Sequence, residues 1–298
     1  MGHPGRDRTL NASLRDAERP GAGDELASGV ARLIPPGLDA VLVLLRHGQT
    51  QFIVENRFQG AMEAPLTARG ELQARLAGRK LASPATPPIL PIPDGPPLVI
   101  VHSPLGRARR SAELAVAEMN AAGRATPPLQ PDAGFGEIAQ GSWEGLTDRE
   151  ITTRFGDSLA GWRRWPTRFQ APGGENLEAV EARVQIALAK LLTEMATDSQ
   201  PGTHDRNQVL GYGDGAPDHR RWSMVVGHGG VFRVVICILL GLSMEHFWNF
   251  DFGLSAITVV EIRSGRAVLR TLNYESHLSG DLLPAAEESA KRNASGAL

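Results

Sequence analysis

Val41-Leu42-Val43-Leu44-Leu45-Arg46-His47-Gly48-Gln49-Thr50 joins an unbroken apolar run to a cluster of polar chemistry. Five consecutive aliphatic residues, two of them β-branched, read as a strand buried on both faces. That is the pattern of a parallel sheet covered by helices. Such sheets bind ligands beyond the carboxyl ends of their strands, where Arg46 and His47 fall. A neutral imidazole is a nucleophile near physiological pH, and a guanidinium matches the geometry of phosphate. The pair points to phosphoryl transfer through a phosphohistidine.

The same punctuation recurs downstream. Leu98–Val101 reads as a second strand, followed by Ser103-Pro104-Leu105-Gly106-Arg107. Ser suits an N-cap and Pro the first helical position, so a helix is expected from Ser103-Pro104 to about Asn120. Arg107 then lies in the first turn, where it can meet an anion together with backbone N–H groups. Arg109 and Arg110 read as solvated surface arginines. Trp222–Val226 is a third strand, ending in Gly227-His228-Gly229-Gly230 before an apolar helix. Its glycines permit close backbone approach. A fourth motif, Gly136-Glu137-Ile138 with Gly141-Ser142-Trp143-Glu144-Gly145, offers a carboxyl group to protonate a leaving oxygen. Glu137 is the preferred acid. Glu144 competes, its alternative being support of the turn at Gly145.

Between these motifs, Thr67–Leu81 and Glu175–Ala196 carry helical periodicity, and Ala256–Ile262 and Ala267–Leu272 resemble a strand pair around Ser264-Gly265. The fold class is therefore α/β, a mostly parallel central sheet flanked by helices. Residues 1–37 are rich in Gly, Pro and charge and are expected to be a disordered arm. Residues 38–278 form the catalytic domain, with the seven-proline segment 83–97 and the aperiodic 198–220 as exposed loops. Residues 279–298 form a flexible tail. Trp162, Trp165 and Phe169 either pack a helix or contact an aromatic leaving group.

Composition narrows the class further. A formal net charge of -2 over 298 residues implies no general attraction to nucleic acid or an anionic membrane. The apolar run Val231–Leu242 is too short to span a bilayer and contains Arg233. The single cysteine, Cys237, lies in that run and reads as a buried hydrophobe, in keeping with a cytoplasmic protein. No secretory or transit signal is apparent in residues 1–30. No Asp/Glu/His cluster has metal-ligand spacing, so neither a metal site nor a cofactor is expected.

These four motifs, in this order, resemble the histidine phosphatase superfamily, the phosphoglycerate mutase-like family, over roughly residues 41–274. The resemblance implies a three-layer sandwich. It implies His47 as phosphate acceptor, Arg46, Arg107 and His228 as the phosphate pocket with Gly229, and Glu137 as proton donor. Asn56-Arg57-Phe58-Gln59-Gly60 with Pro65-Leu66-Thr67 resembles the family's first loop, which makes Asn56, Gln59 and Gly60 candidate substrate contacts. The chain departs from the family at Ile53, where Asn is frequent, at Glu63 for Asp, and at Ser111 for Thr. Isoleucine offers no hydrogen bond to phosphate, so Asn56 or Gln59 is the candidate to supply one in its place.

Within the family, Ile138–Gly145 is similar to the phosphatase branch and lacks the mutases' Arg-His-Tyr-Gly stretch. Pro172-Gly173-Gly174-Glu175 also occurs in that branch. Glu55-Asn56-Arg57-Phe58 is closer to the mutase loop, and Arg163-Arg164 could serve a mutase if it faced the pocket. The expected activity is hydrolysis of a small phosphorylated metabolite, with phosphoglycerate mutase-type transfer as the alternative. An inactive phosphoryl-ligand sensor would need neither nucleophile nor acid. Assembly into a homo-oligomer is compatible with this reading.

Overall fold

The computed structural model describes residues 33–197 and 220–278. The expected arm up to residue 32, nearly all of the 198–220 excursion and the 279–298 tail lie outside the described residues.

Six strands form one sheet: β1 (Ala40–Arg46), β2 (Ile100–His102), β3 (Leu129–Pro131), β4 (Arg221–Gly227), β5 (Ile257–Arg263) and β6 (Arg266–Tyr274). Their spatial order is β3-β2-β4-β1-β5-β6. The first four in that order run parallel, while β5 and β6 are antiparallel additions at one side. The helices are α1 (Gln51–Val54), α2 (Ala68–Ala82), α3 (Gly106–Ala121), α4 (Asp148–Arg164), α5 (Leu177–Thr197) and α6 (Gly229–Leu240).

Alternation along β1 produces the three layers. Leu42 and Leu44 join Val184 and Leu188 of α5 and Val234 and Val235 of α6 in one apolar cluster. Val41, Val43 and Leu45 face the other way, among Ala77 and Leu81 of α2 and Ala112 and Ala115 of α3. Each such side chain, fully buried, contributes about 1.5–3 kcal/mol. A strand sandwiched this way must be apolar at every position, which explains the unbroken run. Helix α6 is buried along nearly its whole length and ends at Gly241 in the left-handed region, with φ 66°. Its Arg233 donates to the Phe250 carbonyl at 2.8 Å and lies over the rings of Phe247 and Trp248.

Three expectations need correction. Residue 34, within the expected arm, already joins the packed fold, because Ile34 is buried in the larger cluster. The Pro-rich segment has no regular structure but is only partly exposed. Leu90 and Ile92 are buried, and two cations organise its backbone. Lys80 Nζ donates to the carbonyls of Pro84, Thr86 and Pro88. Arg124 donates to those of Pro93 and Gly95. Finally, α3 begins at Gly106 rather than at Ser103-Pro104, and its N-cap Leu105 supplies no side-chain bond. The Ser103 hydroxyl is engaged elsewhere.

Candidate active site

Strand β4 lies between β1 and β2, so the C-terminal ends of all three open at one place on the sheet edge. The pairing runs past the strands. His47 N–H donates to the Gly227 carbonyl and Ser103 N–H to that of Val226, each at 2.9 Å. Parallel register thereby brings Arg46-His47, Ser103 and His228 together.

His47 is buried, with Nδ1 2.7 Å from the Gly48 carbonyl oxygen. A carbonyl only accepts, so Nδ1 carries the proton and Nε2 the lone pair. The Gly48 N–H donates to Ser111 Oγ at 3.1 Å, and that hydroxyl donates to the Arg107 carbonyl at 2.8 Å. Ser111 thus ties the His47 loop to α3, a link with no sequence signal beyond its resemblance to the family's Thr. Glycine is required at 48, because a Cβ there would stand 2.2 Å from the Gly70 carbonyl oxygen at the start of α2.

Arg107 is 1% exposed. Its Nη2 and Nη1 donate to the carbonyls of Gly60 and Met62 at 2.7 and 2.8 Å, which anchors the first loop. Its Nε is buried without a hydrogen-bond partner. Burial draws its pKa below the usual value, while the carboxylates of Glu137, Glu63 and Glu144 oppose that shift. A guanidinium remains charged regardless.

His228 is fully buried, and its ring lies 5.1 Å from that of His47 at an interplanar angle of 60°. Its Nε2 is 2.7 Å from Ser103 Oγ. That oxygen also accepts from Leu105 N–H at 3.3 Å, and we assign its own hydrogen to Nε2. The ring proton then sits on Nδ1, which is buried without a hydrogen-bond partner. Burial, followed by the charges of Arg107, of His47 in its protonated form, and of Arg46 and Arg183, pushes the His228 pKa well below 6.5. The ring is a neutral donor. In sequence Ser103 reads as a helix cap; its partner lies 125 positions away and only the folded register reveals it.

Arg46 donates to the Phe252 carbonyl. A Cβ on Gly229 would stand 3.2 Å from its Cζ, so Gly229 lets the guanidinium lie close to the start of α6. Glu137 is 4% exposed and occupies that same helix start. Its Oε1 accepts from the N–H groups of Ile138 and Val231, both at 3.0 Å, and its Oε2 from that of Gly230 at 3.1 Å.

Gly60 adopts φ 50° beside the Arg107 fork, and a Cβ would meet Glu144 Oε1 at 2.3 Å. Glu144 Oε1 accepts from Ala61 N–H and Gln140 N–H, both at 2.8 Å, so this carboxylate straps the first loop to the 140 segment. Gln59 is buried, and its Oε1 accepts from the Thr50 hydroxyl at 2.7 Å, a loop brace. Asn56 is exposed at the end of α1 with φ 53°, outside the network linking the other groups. Trp162 packs in the core against Phe247 and Trp248, whereas Trp165 and Phe169 stack on each other, 45% and 39% exposed. Among the described residues, no group of three or more His, Cys, Asp and Glu side chains is arranged to hold a metal ion. No described helix is long and apolar enough to cross a membrane.

The sequence model for the histidine phosphatase superfamily (branch 1) matches residues 42–200 and 213–275. The chain belongs to the histidine phosphatase superfamily. It is 25% identical over 240 residues to phosphoserine phosphatase 1 of Hydrogenobacter thermophilus, covering 80% of this chain and 93% of that one. It is 35% identical over 241 residues to the 2,3-bisphosphoglycerate-dependent phosphoglycerate mutase of Methylobacterium radiotolerans, covering 80% and 92%. The solved mycobacterial glucosyl-3-phosphoglycerate phosphatase in complex with VO3 superposes with a TM-score of 0.62 at 26% identity. That match covers 79% of this chain and 99% of the other. Family and phosphatase-named relatives together support a phosphatase enzyme.

Proposed function

We propose that this phosphatase hydrolyses a small phosphorylated metabolite through a phosphohistidine at His47. The observation that carries the proposal is the tautomer of His47. Its Nδ1 lies 2.7 Å from the Gly48 carbonyl, which only accepts, so Nδ1 carries the proton and Nε2 is the nitrogen that attacks phosphorus. Arg46, the buried Arg107 and His228 Nδ1–H surround the transferring group and stabilise its equatorial oxygens without a metal ion.

In the first step the Nε2–P bond forms as the ester P–O bond breaks, and the leaving oxygen takes a proton from Glu137. Oε1, with two N–H donors, anchors the carboxyl, while Oε2, with one, delivers the proton. In the second step water attacks the phosphohistidine and gives a proton back to Glu137. Inorganic phosphate leaves and neutral His47 is restored. Gly60 shapes the wall above the phosphate through the Arg107 fork.

The mutase alternative draws on the Methylobacterium relative. It needs a further cation for a second acidic group. Arg163 is paired with Asp148, and Arg164 lies over the Trp165 ring at 4.6 Å, which supports hydrolysis instead. Purified protein is therefore expected to release inorganic phosphate from a panel of small phosphomonoesters. With 3-phosphoglycerate and a bisphosphorylated primer it should form little 2-phosphoglycerate. Efficient isomerisation without phosphate release would overturn hydrolysis and leave the family unchanged. A cytoplasmic setting without nucleic-acid partners belongs to the same proposal. It is supported by the net charge of -2 and by Cys237, a buried unpaired thiol whose pKa burial raises to about 12.

A further inference from the structure

Glu137 sits on a short irregular segment, between the 3₁₀ turns Ala133–Phe135 and Gly141–Trp143, with no strand or helix of its own to fix it. Beside the carboxylate's own bonds to the start of α6, one ion pair fixes the residue's backbone. Arg183 of α5 donates through Nη1 to the carbonyls of Gly134 and Gly136, both at 2.9 Å, and through Nη2 to that of Glu137 at 3.3 Å. The same guanidinium forks onto Glu175, Nε to Oε1 at 2.8 Å and Nη2 to Oε2 at 3.0 Å. Glu175 reaches the far side of the segment, where its Oε2 accepts from Ala139 N–H at 2.9 Å and its own N–H donates to the Ala139 carbonyl at 2.9 Å. Residues 134–139 are therefore gripped on both flanks of Glu137 by two side chains.

The Pro172-Gly173-Gly174-Glu175 motif has its explanation here. A Cβ on Gly174 would stand 2.5 Å from the Ala139 carbonyl oxygen, so only glycine lets Glu175 close on the segment. Gly141 is pressed against the same loop, with the Pro172 oxygen 2.4 Å from where its Cβ would be.

We propose that Arg183 and Glu175 are positioning residues for proton transfer by Glu137, holding its backbone so that the carboxyl reaches both the α6 N-terminus and the leaving oxygen. This rests on the reading of Glu137 as the acid. Neither side chain touches the reacting atoms. Their effect is geometric, and displacement of a catalytic group by about 1 Å can cost on the order of 100-fold in rate. Lysine cannot replace the planar fork that serves three carbonyls and a carboxylate at once.

The test compares wild type, Arg183→Lys, Glu175→Gln and Glu137→Gln on p-nitrophenyl phosphate and on an alkyl phosphate, whose leaving group must be protonated. Glu137→Gln is the reference and should lose alkyl phosphate turnover far more than p-nitrophenyl phosphate turnover. Arg183→Lys and Glu175→Gln should reproduce that selectivity in weaker form, with kcat for the alkyl ester down roughly 10- to 100-fold and for p-nitrophenyl phosphate only a few-fold. KM should change little. Thermal unfolding of each variant confirms that it is folded. Where a variant does not fold, Arg183→Gln and Glu175→Asp are measured instead. Equal losses on both substrates in folded variants, with Glu137→Gln still selective, would overturn the positioning role alone. Loss of selectivity in Glu137→Gln itself would overturn the acid assignment and the positioning role with it.

Discussion

Replacing Arg107 by lysine separates the charge of this residue from its geometry. The native guanidinium is 1% exposed and spans two carbonyls at 2.7 and 2.8 Å while its Nε is buried without a hydrogen-bond partner. An ammonium on a four-carbon stem keeps one positive charge, but its Nζ stands near the place of Cζ, short of Nη1 and Nη2, so it cannot reach both of the carbonyls that the native fork spans. It cannot hold both and address a phosphoryl oxygen as well. The Gly60 carbonyl, which belongs to a buried residue, costs about 1–3 kcal/mol if left without a donor. In a domain of this size that lowers Tm by roughly 2–12 °C. Losing one preorganised donor to the transferring group costs about 100- to 1000-fold in turnover. Arg107→Lys should therefore remain folded, with a modestly lower Tm, and lose about 100-fold or more in kcat/KM for any phosphomonoester accepted by the wild type. Circular dichroism melts and a phosphate-release assay on the same preparation measure both quantities. A folded Arg107→Lys protein within about threefold of wild-type kcat/KM would refute the assignment of Arg107 to the phosphate pocket.

Ser103→Ala removes the hydroxyl that directs its hydrogen at His228 Nε2, so the Nδ1 proton is no longer enforced; kcat/KM should fall about 10- to 100-fold with little change in Tm, and wild-type kinetics would contradict the tautomer assigned to His228. Glu144→Gln should keep near-wild-type turnover without leaving-group selectivity, because an amide oxygen can still accept from Ala61 and Gln140 N–H; selectivity like that of Glu137→Gln would make Glu144 the acid instead. Burial lowers the pKa of His277 from 6.5 to about 4. Between those values the unfolded chain binds the additional proton, so stability is lost as pH falls, and His277→Phe, which keeps a ring against Tyr274, should remove about 2–3 kcal/mol of that loss in denaturant titrations from pH 7 to 4.

The parts of the site that announce themselves in sequence are those fixed by strand termini. Arg46-His47 and Gly227-His228 directly follow long apolar runs, β1 and β4, and parallel pairing brings such ends together whatever the intervening chain does. Arg107 is legible for the same reason, although its helix begins later than Ser103-Pro104 suggests. Polar partners remote in the chain are not legible. Ser103 looks like a cap because capping is its commonest local use, and only register shows it beside His228. Arg183 lies on an amphipathic helix whose apolar residues dominate the pattern, and Arg and Glu on such helices are ordinarily solvated. Strand β3 has three residues, too short for a periodic signal, and α4 bends at Phe155, where φ is -139°, which blurs its helical pattern. Loop resemblance draws Asn56 into the site, yet the chain turns there in the left-handed region and leaves the residue exposed.

The central claim is that phosphate passes through His47. Rapid mixing with a phosphorus-labelled substrate, quenching in base to preserve an acid-labile bond, and peptide mass spectrometry test it directly. Label should appear on the peptide containing His47 at a rate no slower than kcat, and His47→Ala should show neither label nor turnover. Turnover at the wild-type rate in His47→Ala, or stoichiometric label on another residue with His47 unmodified, would contradict the account.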